Sequence, residues 1–393
     1  MSHTKQAVVL AGGLGTRLGG ISKDLPKPMM DINGRPFLDY LVASLARKGI
    51  NEIIFSTGHL GHTIEDYFGN GDRYGLRIGY VRESEPMGTG GALNNCRSML
   101  DERFFVINGD TIFDVNLSAL DIFSTRSTMA LRHVADVARY GSVSLDHGMV
   151  GSFEEKKSGG AGLVNGGTLC LNRKDLELLE EGKSSLENDF LPRLAANGLL
   201  SALPFEGYFI DIGLPASLEE ARKSMPIWET KPIAILDRDG VLNQDTGHVH
   251  SISDFIWIDG AKEAIRLLND SGYYVVIVTN QAGIAKGLYT EETLGILNEW
   301  MIGELWNVGA HIDGFYYCPY HPDALLPEYR KISNDRKPSP GMLLKALSAF
   351  PNTFEKTFFI GNMPSDREAA KRAGVSYFHF ENGSLLSFCW SIL

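Results

Sequence analysis

Two aspartates separated by one residue, Asp237 and Asp239, follow the apolar run Ile233–Leu236. Two carboxylates at the end of a strand can divide the work of a phosphoryl transfer. One attacks phosphorus, and the other protonates the leaving oxygen and later activates water. A calcium-loop fragment or a plain turn would use the same residue types, but the preceding apolar run is typical of a buried strand and disfavours both. The segment therefore predicts an aspartate nucleophile.

A glycine-rich turn follows another apolar run near the start of the chain, at residues 10–18. Glycines let the backbone approach a ligand, and the guanidinium of Arg17 can donate two hydrogen bonds to phosphate oxygens. The turn does not match a dinucleotide fingerprint, because Leu18 stands where the last glycine should be, and it is not a P-loop, because no Gly-Lys-Ser/Thr follows. Alone, the segment indicates either a nucleotide loop or a structural turn.

Further residues suited to nucleotide chemistry are spread along the first half. Lys27 stands between two prolines, which restrict the backbone around this positive charge. Asp110 directly follows a predicted strand, and open α/β sheets bind ligands at the carboxyl ends of their strands. Taken singly, Asp110 and Asp211 are ordinary turn or cap residues, and the charged run at 154–157 is an ordinary solvated surface. Only their combination and order favour one site.

Strand and helix patterns alternate along both halves of the 393 residues, which are too many for one ordinary core. This alternation predicts an α/β protein with two doubly wound (Rossmann-like) domains. We expect a mixed sheet in residues 1–225 and a parallel sheet in residues 231–393. Segment 224–232 contains two prolines and is the predicted linker. The apolar tail 385–393 is expected to pack on the second domain or on a partner subunit, which leaves a homo-oligomer open.

Composition restricts the partners. The formal net charge of −11 argues against nucleic acid or an anionic membrane as the main partner. The four cysteines lie far apart in the sequence, which suits a reducing compartment better than a disulfide framework. No segment resembles a signal peptide, and none is long and apolar enough to span a bilayer. We therefore expect a cytoplasmic protein whose ligands are small molecules.

In their order along the chain, the segments of the first half resemble the sugar-1-phosphate nucleotidyltransferase family over nearly all of residues 5–223. The stretches 23–29, 85–92, 139–141 and 207–213 are most similar to the branch that transfers GMP from GTP to a heptose 1-phosphate. The resemblance implies that a sugar phosphate oxygen attacks the α-phosphorus of GTP and pyrophosphate leaves, which requires positioning and charge neutralisation.

The same resemblance assigns roles to particular residues. It implies that Asp110 and Asp211 hold Mg²⁺ and that Arg17 and Lys27 neutralise the triphosphate. The implied nucleotide contacts are Leu10, Ala11, Gly12, Gly13, Gly15, Thr16, Gly88, Thr89 and Asn108. The implied sugar phosphate contacts are Glu155, Lys156, Asn165 and Gly166.

The second half resembles the haloacid-dehalogenase-type (HAD-like) phosphatase superfamily over about residues 231–381. Segments 245–249 and 279–285 are similar to the branch that removes the 7-phosphate of a heptose 1,7-bisphosphate. The resemblance implies that Asp237 is the nucleophile and Asp239 the acid and base. It further implies that Thr279 and Lys337 bind the transferring phosphoryl group, that Asn280 and Arg336 bind the sugar phosphate and its second phosphate, and that Asp237, Asp239, Asn362 and Asp366 hold Mg²⁺.

Two departures from the superfamily pattern concern cofactors. Asn362 stands where relatives offer an aspartate to Mg²⁺. The site therefore loses one negative charge, so we expect weaker Mg²⁺ binding and leave open whether the phosphatase turns over. Relatives also carry a Cys-x-His and a Cys-x-Cys pair, and the corresponding residues here are Cys318, Tyr320, Ser333 and Asp335. Because structural zinc requires four good nitrogen or sulfur donors, we expect no zinc.

The two implied reactions follow one another, because removal of the 7-phosphate yields the 1-phosphate that the transferase activates. The leading hypothesis is a bifunctional enzyme that makes GDP-D-glycero-α-D-manno-heptose for surface polysaccharide. One alternative is a transferase for another sugar and base, such as a hexose 1-phosphate and UTP. Another is a catalytically weakened second domain that serves as an interaction module. A dinucleotide-dependent oxidoreductase is disfavoured by Leu18.

Overall fold

The computed structural model describes residues 3–13, 25–123, 125–137, 142–154 and 160–393. It divides into two compact units, Met1–Met225 and Pro226–Leu393. Some residues assigned from the sequence lie outside the described ranges: Gly15, Thr16, Arg17, Glu155 and Lys156.

A mixed sheet forms the centre of the first unit. Its nine strands within the described residues are ordered β5-β4-β1-β6-β11-β8-β12-β10-β9. The strands of the unit are β1 Gln6–Leu10, β2 Asp31–Ile32, β3 Arg35–Pro36, β4 Glu52–Thr57, β5 Arg77–Arg82, β6 Arg103–Asn108, β7 Thr111–Phe113, β8 Ser127–Val134, β9 Ser142–Asp146, β10 Met149–Glu154, β11 Gly162–Asn172, β12 Leu200–Phe205 and β13 Phe209–Asp211. Two short pairs, β2 with β3 and β7 with β13, stand apart from the main sheet.

The parallel part of this sheet positions the glycine-rich turn. Strand β1 lies between β4 and β6 and is parallel to both. Its residues Ala7, Val8 and Val9 are fully buried, and a strand covered on both faces is expected to be continuously apolar. Helices pack around the sheet: α1 Phe37–Arg47, α2 Gly61–Phe68, α3 Gly88–Asn95, α4 Leu117–Asp121, α5 Leu191–Ala196 and α6 Pro215–Glu229. The predicted mixed sheet is confirmed.

The boundary between the two units follows Met225 and lies inside the predicted linker 224–232. Most of that segment is nevertheless helical, because α6 continues through Pro226 to Glu229. A proline inside a helix loses one backbone hydrogen bond, but the last turn is held by other bonds. The backbone N–H of Thr230 donates to the carbonyl of Pro226 at 3.2 Å, and the hydroxyl of Thr230 donates to the same oxygen at 2.8 Å. Only residues 230–232 separate α6 from the next strand.

Five parallel strands form the sheet of the second unit, in the order β16-β15-β14-β17-β18. The strands are β14 Ile233–Leu236, β15 Tyr274–Asn280, β16 Gly314–Cys318, β17 Phe358–Gly361 and β18 Ser376–His379. The helices are α7 Ala261–Asp270, α8 Ala282–Ala285, α9 Glu291–Trp306, α10 Gly341–Ala349, α11 Pro364–Ala373 and α12 Leu385–Ile392. The predicted parallel sheet is confirmed, with β14 at its centre.

The apolar tail forms α12 and packs within its own unit. Leu385 and Cys389 are fully buried in the core cluster that also contains residues of α7. The side chains of Trp390 and Leu393 are exposed. In the part of the chain that the structure describes, no helix combines the length and the hydropathy needed to cross a membrane.

Candidate active sites

The end of β1 and the end of β6 meet at one edge of the first sheet. The backbone N–H of Gly109 donates to the carbonyl of Leu10 at 2.9 Å. A Cβ atom at position 109 would lie 2.9 Å from that same oxygen, so only glycine allows this approach. The start of the glycine-rich turn, Ala11 onward, therefore lies next to Asp110.

Asp110, Asp211 and Lys27 come together at this edge. In the β7–β13 pair, Asp211 lies opposite Thr111, the residue after Asp110. The ammonium of Lys27 donates to the Asp110 carboxylate and lies 3.6 Å from Oδ1 of Asp211. That oxygen also accepts the backbone N–H of Gly213 at 2.7 Å. One cation thus lies between two carboxylates that are 101 positions apart in the sequence.

Strand β11 is irregular at Asn165 and Gly166, which the resemblance assigned to the sugar phosphate. The register of β11 against β8 shifts between Asn165 and Leu169. A Cβ atom on Gly166 would lie 2.3 Å from the ring of Phe113, and one on Gly167 would lie 2.7 Å from Nδ2 of Asn108. The shift therefore brings this segment against β7 and the end of β6, beside the carboxylate pair.

The turn at Gly88 and Thr89 is used partly for packing. Gly88 has a φ of +75°, and a Cβ atom there would lie 2.4 Å from the carbonyl of Ser184. The hydroxyl of Thr89 donates to Glu187 at 3.0 Å and accepts the backbone N–H of Leu186 at 2.8 Å. Thr89 therefore fixes the start of α3 to segment 184–187.

One acidic residue at this edge escaped the sequence analysis. Glu83 follows β5, and its Oε1 accepts the backbone N–H of Met87 at 3.3 Å. Its Oε2 lies 2.7 Å from the position that a Cβ atom on Gly12 would occupy. Burial raises the pKa of Glu83 above its ordinary value. The available signal was its position directly after a parallel strand of the same sheet.

Asp237 lies at the end of β14, in a buried triad with Lys337 and Asp366. The ammonium of Lys337 lies 2.8 Å from Oδ1 of Asp237 and 2.8 Å from Oδ1 of Asp366. Burial raises the pKa of Asp237 to about 7, although Lys337 acts to lower it. Burial alone would lower the pKa of Lys337, but the two carboxylates raise it above its ordinary value.

Three donors surround Asp239. The guanidinium Nη2 of Arg238 lies 2.8 Å from Oδ1 and 2.9 Å from Oδ2 of this carboxylate. Nδ2 of Asn243 donates to Oδ1, and Nε2 of Gln281 donates to Oδ2, each at 3.1 Å. Asp239 is thereby held in one orientation beside the nucleophile.

The buried Gln281 links Asp239 to Thr279. Its amide nitrogen also donates to Oγ1 of Thr279 at 2.8 Å, and its amide oxygen accepts the hydroxyl of Tyr289 at 2.6 Å. The sequence analysis assigned Thr279 but gave no role to Gln281 or Arg238. Both stood inside motif segments, so their positions were the available signal, but their hydrogen bonds required the structure.

Asn280 and Arg336 lie on either side of the Lys337 backbone. Nδ2 of Asn280 donates to the carbonyl of Lys337, and Oδ1 of Asn280 accepts the N–H of Lys337, each at 3.0 Å. This pair of bonds positions the lysine. Arg336 is half-buried and donates to the carbonyl of Tyr320 at 3.4 Å.

Asn362 and Asp366 follow β17 on the other side of Asp237. Oδ2 of Asp366 accepts the backbone N–H groups of Asn362 and Met363, at 3.2 and 2.9 Å. Gly240 has a φ of +85° and leaves room for the side chain of Asn362. A Cβ atom on residue 240 would lie only 2.0 Å from Nδ2 of Asn362. Oδ1 of Asn362 is buried and has no hydrogen-bond partner among the described residues.

Both sites offer ligands of the type that Mg²⁺ prefers. Mg²⁺ binds one or two carboxylates and takes its other ligands from water and substrate phosphates. Asp110 and Asp211 already share one cation, and the unpartnered oxygen of Asn362 is an acceptor that a cation would satisfy. Within the described ranges, no three His, Cys, Asp or Glu side chains surround one ion position. The protein ligands therefore fit a site that substrate oxygens complete.

The loop residues Cys318, Tyr320, Ser333 and Asp335 make several local contacts. Burial raises the pKa of the Cys318 thiol, whose sulfur lies 3.9 Å from the carbonyl of Tyr320. The ammonium of Lys331 lies 3.7 Å from the centre of the Tyr320 ring. The hydroxyl of Ser333 accepts the backbone N–H of Asp335 at 3.1 Å.

The fold and the edge site of the first unit define a nucleotidyltransferase. Residues 6–226 match the family model described as nucleotidyl transferase, and the chain belongs to that family. It is 41% identical over 214 residues to D-glycero-alpha-D-manno-heptose 1-phosphate guanylyltransferase of Campylobacter jejuni, an alignment that covers 53% of this chain and 95% of the relative.

A solved structure agrees with this relationship. The crystal structure of HddC from Yersinia pseudotuberculosis complexed with GMP-PN is 38% identical, with a TM-score of 0.51. The match covers 56% of this chain and 100% of that protein. The fold of that whole protein is therefore present in this chain.

The second unit has relatives of a different kind. It is 42% identical over 163 residues to D-glycero-beta-D-manno-heptose-1,7-bisphosphate 7-phosphatase of Rhodopseudomonas palustris, an alignment that covers 42% of this chain and 91% of the relative. The second part of the chain belongs to the family of these phosphatases. The chain is therefore a fusion of two enzyme types.

Proposed function

We propose that this chain is a bifunctional enzyme of GDP-D-glycero-α-D-manno-heptose synthesis. The phosphatase domain, residues 231–393, removes the 7-phosphate of heptose 1,7-bisphosphate. The transferase domain, residues 1–225, then transfers GMP from GTP to the heptose 1-phosphate and releases pyrophosphate. The observation that carries this proposal is that one chain joins relatives of both enzymes, since the product of one reaction is the substrate of the other. Such a nucleotide sugar would supply a surface polysaccharide.

The two reactions connect only if both domains accept the same anomer. The named guanylyltransferase relative acts on an alpha heptose phosphate, whereas the named phosphatase relative acts on a beta bisphosphate. We propose that the phosphatase domain of this chain hydrolyses the α-bisphosphate, because only this anomer yields the α-1-phosphate. Parallel assays with the two anomers test this part of the proposal.

In the transferase, residues of this chain bind and orient the triphosphate of GTP and the phosphate of the sugar. The glycine-rich turn and Arg17 receive the triphosphate, while Glu155, Lys156 and Asn165 hold the sugar phosphate. Mg²⁺ on Asp110 and Asp211 would neutralise charge as pyrophosphate leaves. These roles are consistent with the meeting of β1, β6 and the β7–β13 pair at one edge of the sheet.

In the phosphatase, Asp237 attacks the 7-phosphoryl group and Asp239 protonates the departing sugar oxygen. Asp239 then accepts a proton from the water that hydrolyses the aspartyl phosphate. Thr279 and Lys337 bind the phosphoryl oxygens, and Mg²⁺ would screen the charge of the carboxylates. The contacts of Asp239 with Arg238 and Gln281 support its role, because they fix its orientation.

The decisive experiment supplies heptose 1,7-bisphosphate, GTP and Mg²⁺ and measures phosphate, pyrophosphate and GDP-heptose. We expect all three products. Asp237→Asn should abolish phosphate release but leave transfer to preformed heptose 1-phosphate, and Asp110→Asn should do the reverse. A panel with UTP, dTTP, CTP and ATP tests the base. Failure to form a nucleotide sugar from any triphosphate would refute the transferase assignment.

Asn362 favours a second candidate, in which the second domain is a weakened enzyme retained for interaction or oligomerisation. The residue removes one carboxylate from the implied metal site. Under this alternative, the parent releases no phosphate from either anomer, while Asn362→Asp restores release. Phosphate release by the parent at a rate comparable with that of the variant would reject the alternative.

A further inference from the structure

The buried side chain of Gln281 contacts two groups that act in the phosphatase reaction. Gln281 is 2% exposed. Its amide nitrogen donates to Oδ2 of Asp239 at 3.1 Å and to Oγ1 of Thr279 at 2.8 Å. The two hydrogens of one amide therefore hold two groups with different roles. Asp239 gives a proton to the departing sugar oxygen, and Thr279 binds the phosphoryl group.

The bond to Thr279 determines which way its hydroxyl can donate. A threonine hydroxyl has one hydrogen and two lone pairs. Gln281 occupies one lone pair, and none of the described residues accepts the hydroxyl hydrogen. Thr279 can therefore donate to a phosphoryl oxygen while its own oxygen stays fixed.

The hydroxyl of Tyr289 sets the orientation of this amide. It donates to Oε1 of Gln281 at 2.6 Å. Burial raises the pKa of Tyr289 to about 12, so the hydroxyl keeps its proton at neutral pH. Because the amide oxygen faces Tyr289, the amide nitrogen faces Asp239. The reverse orientation would place the amide oxygen against a carboxylate oxygen, and neither atom could donate a hydrogen bond.

Packing holds the ring of Tyr289 in place. The residue is 7% exposed and belongs to a small apolar cluster with Ile284 and Leu294. The ring of His250 stacks on the tyrosine ring, with centroids 4.7 Å apart. A Cβ atom on Gly283 would lie 2.1 Å from Cε1 of Tyr289, so a glycine is needed there to leave room for the ring. The donor to Gln281 is therefore fixed before any substrate binds.

The sheet fixes the backbone of Gln281. The residue follows β15, and its N–H donates to the carbonyl of Cys318, at the end of the neighbouring strand β16, at 2.9 Å. Asp239 follows β14, which pairs with β15 on its other side. From this position, one amide side chain reaches groups at the ends of two strands.

We propose that Gln281 and Tyr289 are positioning residues of the phosphatase. Tyr289 orients the amide of Gln281. The amide holds Asp239 toward the leaving oxygen and Thr279 toward the phosphoryl group. This inference rests on the proposed phosphatase function. In its first step Asp237 forms a bond to phosphorus, the bond from phosphorus to the sugar oxygen breaks, and the proton of Asp239 passes to that oxygen.

The test compares kcat/KM of the full-length enzyme with Mg²⁺ for two phosphate esters, heptose 1,7-bisphosphate and 4-nitrophenyl phosphate. A sugar oxygen needs a proton to leave, whereas 4-nitrophenolate leaves without one. Loss of one hydrogen bond costs about tenfold. Gln281→Met releases both positioned groups and should lower the value for the bisphosphate by about 100-fold. The value for the aryl phosphate should fall by only about tenfold, because that ester does not need the acid.

Tyr289→Phe should give the same order of effects with smaller losses, because it leaves the amide in place but free to rotate. Tyr274→Phe is the matched control. Tyr274 is 3% exposed in the same unit, and its hydroxyl donates to the carbonyl of Glu229 at 2.7 Å. Its loss removes a similarly buried hydrogen bond, so it should lower stability and leave the ratio between the two esters unchanged.

A binding measurement tests the link to Thr279 without catalysis. Inorganic phosphate with Mg²⁺ should raise the melting temperature of the second unit. All five tryptophans lie at or beyond residue 228, so their fluorescence reports this unfolding. Gln281→Met and Thr279→Val should each weaken phosphate binding by about tenfold. Because the amide acts through the threonine hydroxyl, the double variant should bind less than about twofold more weakly than Thr279→Val alone.

The outcomes separate the positioning role from the phosphatase function. Equal losses for the two esters in Gln281→Met, or no loss, would refute the role toward Asp239 while the phosphatase stands. Additive losses of phosphate affinity in the double variant, or no stabilisation of the parent by phosphate, would refute the role toward Thr279. If the parent hydrolyses neither ester, the phosphatase function fails, and the phosphate measurement alone decides the positioning role. The same measurement decides it if only the bisphosphate is hydrolysed.

Discussion

Replacing Lys337 with methionine should destabilise the second unit strongly. Lys337 is 2% exposed, and its ammonium lies 2.8 Å from each of two buried carboxylates, Asp237 and Asp366. At an effective dielectric constant of about 20, each contact has a gross Coulomb energy of roughly 6 kcal/mol. Desolvation offsets most of this energy, and removal of one partner from a buried ion pair costs about 3–5 kcal/mol.

The assay is thermal and urea unfolding followed by tryptophan fluorescence, which reports only residues 228–393. For a domain of 150–250 residues, each kcal/mol shifts Tm by about 2–4 °C, so we expect Lys337→Met to lower Tm by roughly 6–20 °C at pH 7. Lys345→Met is the matched control. Its ammonium lies 2.7 Å from Asp335 but is 58% exposed, and an exposed pair contributes about 0–1 kcal/mol.

The cause assigned to this loss can be tested separately. If the cost arises from two unneutralised carboxylates, Asp366→Asn should recover much of the stability in the Lys337→Met background, although it destabilises the parent. Protonation of a carboxylate at lower pH should also recover stability in the Lys337→Met variant. Without the lysine, the folded pKa of Asp237, which burial already raises, rises further above the unfolded value, so the deficit is largest above pH 7 and shrinks as the pH falls toward 5. A deficit under 1 kcal/mol, or no recovery with Asp366→Asn, would refute the reasoning.

Three further changes test other parts of the molecule. Asn362→Asp should increase phosphate release and enlarge the Mg²⁺-induced rise in Tm, because it adds a carboxylate beside Asp237; an unchanged Mg²⁺ response would contradict this. Gly109→Ala should raise KM for GTP by more than about tenfold, because the new Cβ would lie 2.9 Å from the backbone carbonyl of Leu10 and would push the glycine-rich turn away from β6, while phosphate release stays unchanged; pyrophosphate and phosphate assays on the same sample check both. Leu385→Ala should cost the second unit about 2–5 kcal/mol, because Leu385 is fully buried; tryptophan fluorescence in urea measures it, and a loss below 1 kcal/mol would show that α12 adds little to the core.

The sequence predicted the central elements of both units because their patterns are local. Strand β14 begins and ends where the apolar run Ile233–Leu236 predicts a buried strand. Segment 224–232 was mispredicted as a linker because the carbonyl of Arg222, which loses its helical donor at Pro226, accepts Nδ2 of Asn33 at 2.7 Å. The residue type alone does not reveal this long-range contact. Strand β18 was missed because Ser376–His379 is short and partly exposed.

For the candidate sites, the sequence proposed which residues take part but did not predict which ones touch. The family resemblance assigned Asp110 and Asp211 to one metal, and the structure brings them to one ammonium. The side chain of Glu83 occupies the space beside Gly12, 71 positions away in the sequence, and no periodic pattern encodes such a long-range approach. Asn280 was assigned to substrate, but its two bonds to the Lys337 backbone depend on a loop packing that only the fold determines.

Burial makes the two lysine–carboxylate triads chemically different. In the first unit, the side chains of Lys27 and Asp110 are 13% and 35% exposed, so a metal–nucleotide complex can displace the ammonium from the carboxylates. In the second unit, Lys337 is fixed by its buried partners and by the carbonyl of Val278, at 3.3 Å. A divalent ion would therefore bind beside this lysine rather than replace it.

Because Lys337 stays in place, the charge of residue 362 affects how strongly this site attracts a divalent ion. Around the nucleophile, the carboxylates of Asp237, Asp239 and Asp366 face the cations of Lys337 and Arg238. Burial raises the pKa of Asp237 to about 7, so Asp237 carries only part of its negative charge at neutral pH. An aspartate at 362 would add a negative charge, so Asn362 weakens the attraction for a divalent ion that cannot displace the lysine. We therefore expect Mg²⁺ concentration, rather than bisphosphate binding, to limit phosphate release by the parent, and Asn362→Asp to remove that limit.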